Sequence, residues 1–182
     1  RRLKEILKFE FFFPTTKTFA QQVAEETSIV YPGWEQDTWT AAGVLAQLKA
    51  LRLYLAHRVV GPFLEAYSVL ADELAAIAPE TPVDEDDLVN RCLGLARQRW
   101  LQKTLHTPES ISRDYFRNAF KLAENQHLIK TDESDLAVRR QAFADELRTA
   151  VRRIDDIRRL ALRSGEPVMT ERAVPVVGGS RG

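Results

Sequence analysis

The sequence predicts an all-α protein, an irregular helical bundle. Three observations lead there. Apolar residues recur at three- and four-residue steps along most of the chain. Glycine and proline are few, 8 of each in 182 residues, and fall mainly between the periodic segments. Residues that suit helix starts stand at the heads of those segments. A hydrophobic share of 45% is enough to build a core. Lys plus Arg equal Asp plus Glu at 26 each, so no net charge draws the chain to nucleic acid or to an anionic membrane. The single cysteine, Cys92, excludes an internal disulfide framework and a cysteine-based zinc site. No apolar run has the length of a membrane span, and no stretch has the pattern of a signal peptide. The chain opens on "RRLKEILK" without an initiator Met, and is expected to be a piece of a longer polypeptide or a processed product.

Leu3, Ile6, Leu7 and Phe11 predict a helix over 1–13, although the crowded phenylalanines would also suit a short strand. Pro14 ends that element, because the residue before a proline avoids the α region. "TTKTFAQQVAEE" supplies capping threonines and a short helix, and Pro32-Gly33 marks a turn. An apolar helix is expected from Thr38 to about Val60. Pro62 then either kinks it or opens a new helix, and 38–78 together form the spine. Asp84, Glu85, Asp86 and Asp87 suit the start of a helix that runs to about Lys103. Ser112 is the candidate cap of a helix over 113–125, with Phe116, Phe120 and Ala123 inward.

Asp132 or Ser134 caps the last helix, about 135–163. Its seam is Leu136, Phe143, Leu147, Ala150, Ile154, Ile157 and Ala161, interrupted at Arg140. Asp155–Arg159 and Arg152–Asp156 are expected as ion pairs on its wet side. The helical domain is 1–163, and 164–182 is a flexible tail without periodicity.

"HLIKTD", residues 127–132, sets His127 five positions before Asp132, a base and its orienter in acyl transfer. Five residues of α-helix turn the chain by about 500°, so the two side chains leave on different faces. They would need a special turn to meet. Asp132 has a plainer role as a helix cap, and no run of backbone donors nearby suits an oxyanion. His57 and His106 lie far from each other and from His127, and no spacing matches a metal site. His57 is read as a core-edge histidine and Cys92 as a small core residue. Asp84–Asp87 read as a helix start before they read as metal ligands, and "GGSRG" lacks the Lys and following helix of a phosphate loop. No catalytic, cofactor-binding or metal-binding residue is therefore assigned, and no cofactor is expected.

"FEFFFP" is unusual: Phe9, Phe11, Phe12 and Phe13 cannot all face one way. At least one must meet another layer, a partner domain or a membrane. The mixed charges of Lys4, Glu5, Lys8 and Glu10 favour a protein neighbour. The span 84–138 also admits a small winged-helix-like order of helix, turn, helix and short hairpin. Its reading helix would carry Arg113, Arg117 and Lys121, but also Asp114 and Glu124, and it spends Phe116 and Phe120 on a core. That is a weak basic stripe, so DNA binding or a stand-alone interaction module is the alternative and not the first reading.

Three stretches, "ILKFEFFFP", "VVGPFLEAYSVLADEL" and "SISRDYFRNAFKLAENQHLI", together resemble the C-terminal region of the bacterial membrane-bound glycerol-3-phosphate acyltransferases of the PlsB type. The resemblance covers most of residues 3–160. It implies that the complete enzyme moves a fatty acyl group from acyl-CoA or acyl carrier protein to the 1-hydroxyl of glycerol 3-phosphate, in phospholipid synthesis. In that family a His-x-x-x-x-Asp motif in the upstream domain does the chemistry, followed by an arginine-bearing block for the phosphate. Nothing here resembles that block, and "HLIKTD" falls in the helical C-terminal region, so no catalytic residue carries over. The resemblance implies a non-catalytic helical domain, with an upstream catalytic domain and a peripheral membrane surface as its partners. It implies a place on the cytoplasmic face of the plasma membrane, and no nucleic acid.

Overall fold

A computed structural model describes residues 2–12, 18–36, 40–51, 55–130 and 135–163. The described residues form helices and no strands. The helices are α1 (Arg2–Ile6), α2 (Phe19–Val30), α3 (Ala41–Leu51), α4 (Ala56–Val59), α5 (Gly61–Ala76), α6 (Glu85–Leu101), α7 (Arg113–Asn125) and α8 (Leu136–Arg163), with 3-10 turns at Trp34–Gln36 and Pro108–Ser110.

Helix α5 is the axis of the bundle. It packs on α6, α7 and α8, and on the 3-10 turn Pro108–Ser110. Its burial is nearly all-round: Leu64, Ala66, Tyr67, Val69, Leu70, Ala71 and Leu74 are each at most 1% exposed. A helix apolar around most of its circumference belongs in a core. Pro62 stands in its first turn, where the missing N–H breaks no hydrogen bond, so the proline starts a helix and does not kink one. Phe116, Ala119, Leu122 and Ala123 of α7 and Leu88, Val89, Cys92 and Ala96 of α6 close on it from one side. Phe143, Ala144 and Leu147 of α8 close on it from the other. The last helix follows its expected seam, with Leu136, Phe143, Leu147 and Ala161 buried. Burial pushes the Cys92 thiol up to about 12, as suits an inert core residue.

Several starts match their predicted chemistry. Thr18 closes a capping box with Gln21 at the head of α2. Asp84 caps α6, its Oδ1 accepting from the Asp87 N–H at 3.0 Å, with three acids behind it in the first turn. Ser112 holds the N-cap position of α7, but its side chain makes no capping bond. The expected caps Asp132 and Ser134, the proline stop at Pro14 and the tail 164–182 lie outside the described residues.

Three expectations need correction. The first helix ends at Ile6, not at 13. The Leu7 carbonyl accepts from both the Glu10 and Phe11 N–H groups, at 3.0 and 3.1 Å, and the chain turns. Tertiary bonds explain the departure: Glu10 Oε1 accepts from the Tyr67 hydroxyl at 2.7 Å and from Asn118 Nδ2 at 3.2 Å. Those bonds, and the edge-on contact of Phe11 with Phe63 at 5.3 Å, outweigh local helix preference. Second, among the described residues of the 38–78 spine, the buried ones all fall in its later half. Helices α3 and α4 carry exposed Val44, Leu45 and Val59. Third, Asp155 is not on a wet face. Its side chain is 12% exposed and also meets His106, although the predicted pair with Arg159 forms at 2.7 Å. Arg152 donates instead to Thr149 Oγ1, and Asp156 faces Arg159 at 3.8 Å.

The break in the α8 seam has a tertiary meaning. Arg140 is fully buried. Its Nε donates to the Leu128 carbonyl at 2.8 Å and its Nη1 to the Ile77 carbonyl at 3.1 Å. Ile77 caps the C-terminus of α5, and Leu128 lies just past that of α7. The guanidinium thus sits at the negative ends of two helix dipoles, which serve where no carboxylate does. Burial lowers its pKa from the ordinary arginine value, yet guanidinium stays charged in proteins.

Candidate functional site

The chain brings together two histidines that its sequence keeps far apart. His57 of α4 and His106 of the α6–α7 loop line one cleft of about 280 Å³, measured out to its mouth. Gly61, Leu64 and Glu65 of α5 and Val151, Ile154, Asp155 and Arg158 of α8 complete it. His106 Nε2 lies 3.4 Å from Asp155 Oδ1. Arg158 Nη2 stands 2.7 Å from the same oxygen and 3.5 Å from the histidine nitrogen. Burial alone would raise the Asp155 pKa. The hydrogen bond from Arg158 and the charges of Arg158, His106 and Arg159 overcome that and hold it below the ordinary carboxylate value.

The loop that delivers His106 is anchored by a buried carboxylate. Glu65, 8% exposed, accepts from the His106 N–H at 2.9 Å, the Thr107 N–H at 3.1 Å and the Ser110 hydroxyl at 2.7 Å. It accepts from the Thr107 hydroxyl as well. With both oxygens engaged by the loop, three bonds on Oε2 and one on Oε1, Glu65 is a structural hub. Asp155 is likewise spent on two arginines. The cleft has the ingredients of acid–base chemistry, but its carboxylates face protein donors and no nucleophile lines it. Neither histidine's convergence was visible in the sequence. One signal was available: Asp155 directly follows the seam residue Ile154, so its side chain flanks the packed face.

His127 has a different role from the one its motif suggests. It is exposed, with φ 55°, the left-handed region. Its N–H donates to the Glu124 carbonyl at 2.9 Å, and the Leu128 N–H donates to the Ala123 carbonyl at 2.9 Å. This is the paired Schellman stop of a helix C-terminus, with buried Leu128 as its apolar anchor. Lys103 (φ 58°) ends α6 in the same way: the Lys103 N–H donates to Trp100 and the Thr104 N–H to Arg99, each at 2.9 Å. Asp132 lies outside the described residues. A non-glycine residue here pays about 1–2 kcal/mol for its backbone, so glycine should be better tolerated than histidine. His127→Gly is expected to leave stability equal or up to about 1 kcal/mol higher, and His127→Val to lower it by about 1–2 kcal/mol, read from urea unfolding midpoints. A large loss with glycine would show that the imidazole itself holds the fold.

The winged-helix reading fails on its arginines. Arg117 pairs with Asp86 at 3.3 Å and Glu85 at 3.8 Å; Arg113 donates to Asn90 at 2.7 Å and faces Asp86 at 3.9 Å. Arg113 and Arg117 of α7 are thus turned onto the acidic start of α6, and no strand forms a wing among the described residues. No group of three His, Cys, Asp or Glu among them is placed to hold a metal ion. No described helix is long and apolar enough to cross a membrane.

No solved structure matches this chain. Proteins named "Putative acyltransferase plsB1" from Mycobacterium bovis and from Mycobacterium tuberculosis strains are 39% identical to it over 165 residues, which is 88% of this chain and 26% of theirs. The chain therefore spans about a quarter of the length of these curated relatives. Residues 1–132 match the family described as the glycerol-3-phosphate acyltransferase C-terminal region. With that match across most of its length, the chain belongs to the C-terminal region family of the glycerol-3-phosphate acyltransferases.

Proposed function

We propose that this chain is the non-catalytic helical support of a longer acyltransferase. The longer protein transfers a fatty acyl group from acyl-CoA or acyl carrier protein to sn-glycerol 3-phosphate, at the cytoplasmic face of the plasma membrane. The observation that carries the reading is the pairing of the family match with the role of His127. A chain from the acyltransferase family contains a His-x-x-x-x-Asp, yet its histidine forms a helix stop. The chemistry then belongs to an upstream domain.

The surface around α1 supports docking on that domain. Phe12 is 90% exposed, with Leu3 (41%) and Phe9 (37%) near it in sequence, among charges of both signs. Single exposed apolar residues are ordinary, but an almost bare phenylalanine, with two further exposed apolar residues in the same short segment, suits a protein partner. The arms of the test are separate. The 182-residue chain alone should not acylate glycerol 3-phosphate. In the longer protein, His127→Ala should keep most of the activity, while Phe12→Asp should weaken capture of a separately expressed upstream domain by roughly ten-fold or more. Turnover by the isolated chain, or loss of several orders of magnitude with His127→Ala, would return "HLIKTD" to the active site.

A further inference from the structure

Three aromatic rings from three elements meet at the edge of the core. Phe11, in the turn after α1, stands edge-on to Phe63 of α5 at 5.3 Å. Phe63 lies tilted against Tyr115 of α7 at 4.7 Å. All three are half-buried, as is Ile111 just before α7, and all four pack on the core from outside. Phe12, one peptide beyond Phe11, is 90% exposed. Among the described residues no hydrogen bond takes the Tyr115 hydroxyl. The ring contacts make one surface of Phe11, Phe63 and Tyr115, and Phe12 borders it in the chain. Half-buried aromatics beside a bare one, with a hydroxyl to spare, suit the core of a protein interface.

The charges around the phenol say what kind of partner. Burial raises the Tyr115 pKa, and the nearby carboxylates of Glu10, Glu109 and Asp114 raise it further. Glu10 is spent on Tyr67 and Asn118. Glu109 and Asp114 are exposed, and among the described residues neither has an ion-pair partner. Phe9 already has a cation, the Lys8 ammonium, 5.3 Å above its ring. A tyrosine ring with two uncommitted carboxylates beside it attracts a cation. An anionic lipid surface would meet those acids with its own sign of charge and be repelled.

We infer that the face of Phe12, Phe63 and Tyr115 receives an arginine or lysine from a protein surface, its stem on the rings and its charge on Glu109 and Asp114. That protein surface is the upstream domain. The matched family is a C-terminal region, and the curated relatives carry about three quarters of their length outside this stretch. This rests on the docking in the proposed function, and assigns both the extent of that surface and the chemistry it takes.

Hydroxyl-radical footprinting of the longer protein against the 182-residue chain tests it. Phe12 and Tyr115 should be oxidised roughly five-fold or more slowly in the longer protein, because an interface core excludes water. Glu109→Lys with Asp114→Asn in the longer protein should bring Tyr115 back to within about two-fold of its rate in the isolated chain. Both positions are exposed, and circular dichroism of the isolated variant checks that the helices persist. Phe12 shielded with Tyr115 open overturns the inference and leaves the docking reading standing. Tyr115 shielded as well in the variant as in the native sequence also overturns it, since the cover is then not cationic. Shielding of both rings in the isolated chain by phosphatidylglycerol vesicles would make lipid the occupant and overturn it too. Both rings open in the longer protein overturns the docking reading and the inference together.

Discussion

Replacing Arg140 by methionine should lower the unfolding free energy by about 2–4 kcal/mol, despite the similar length and apolar character of the new side chain. The Ile77 and Leu128 carbonyls each lose a charged donor, the Leu128 one in a buried bond and the Ile77 one in a half-buried bond. A buried acceptor left without a partner costs about 1–3 kcal/mol. Removing the buried charge returns part of this, because the guanidinium no longer has to be desolvated. The two bonds should still dominate, because each closes a helix end. Lysine keeps the charge but reaches one carbonyl at best, so Arg140→Lys should also be strongly destabilised. Urea unfolding gives the magnitude. Amide exchange at Leu128 and Ile129 should quicken first, since they follow the stop of α7. A change below about 1 kcal/mol would mean that the two carbonyls find other donors.

The second large effect is expected at Glu65. Its carboxylate takes four hydrogen bonds from the loop between α6 and α7. Glu65→Ala strands two amide N–H groups, leaves the Thr107 and Ser110 hydroxyls with only each other, and opens a gap under the loop, for a loss of about 3–4 kcal/mol. Glu65→Gln has nearly the same shape, but its amide nitrogen donates where an acceptor is needed, so a loss of about 1–3 kcal/mol is expected. Both variants should become sensitive to proteolysis between Gln102 and Ser112. A cut site that stays protected in Glu65→Ala would place the anchor of the loop elsewhere.

Elements whose signals are local were legible. The acids at Asp84–Asp87 marked the start of α6, and the seam from Leu136 to Ala161 marked α8, because capping and periodicity act within a few residues. Arg140 was visible as a break in that seam, but its meaning lay 63 positions away at Ile77 and 12 away at Leu128. The first helix was overpredicted because Leu3, Ile6 and Leu7 fit a helical face. Only the fold shows Glu10 drawn to Tyr67 and Asn118. The spine was half right: the apolar periodicity of α3 is real, but a pattern that marks one buried face cannot say what buries it. Of the site, the sequence already spoke against "HLIKTD" as a catalytic pair, since five residues of helix part the two side chains, and the left-handed His127 adds the role that its backbone has instead. The cleft of His57, His106 and Asp155 was out of reach, since it draws on three elements that meet only around α5.

The family match stops at residue 132, and α8 begins at Leu136. Yet α8 makes the most extensive contact with α5, and Arg2 at the far end of the chain forms an ion pair with Glu146. Burial of Leu136, Phe143 and Leu147 is worth about 1.5–3 kcal/mol each. A protein trimmed to the recognised region would keep the helices that identify it and lose the wall they lean on. Its central helix would show a long greasy flank to water and would seek a substitute, either another molecule or an aggregate. The stretch by which the family is recognised is therefore shorter than the stretch that holds its own shape.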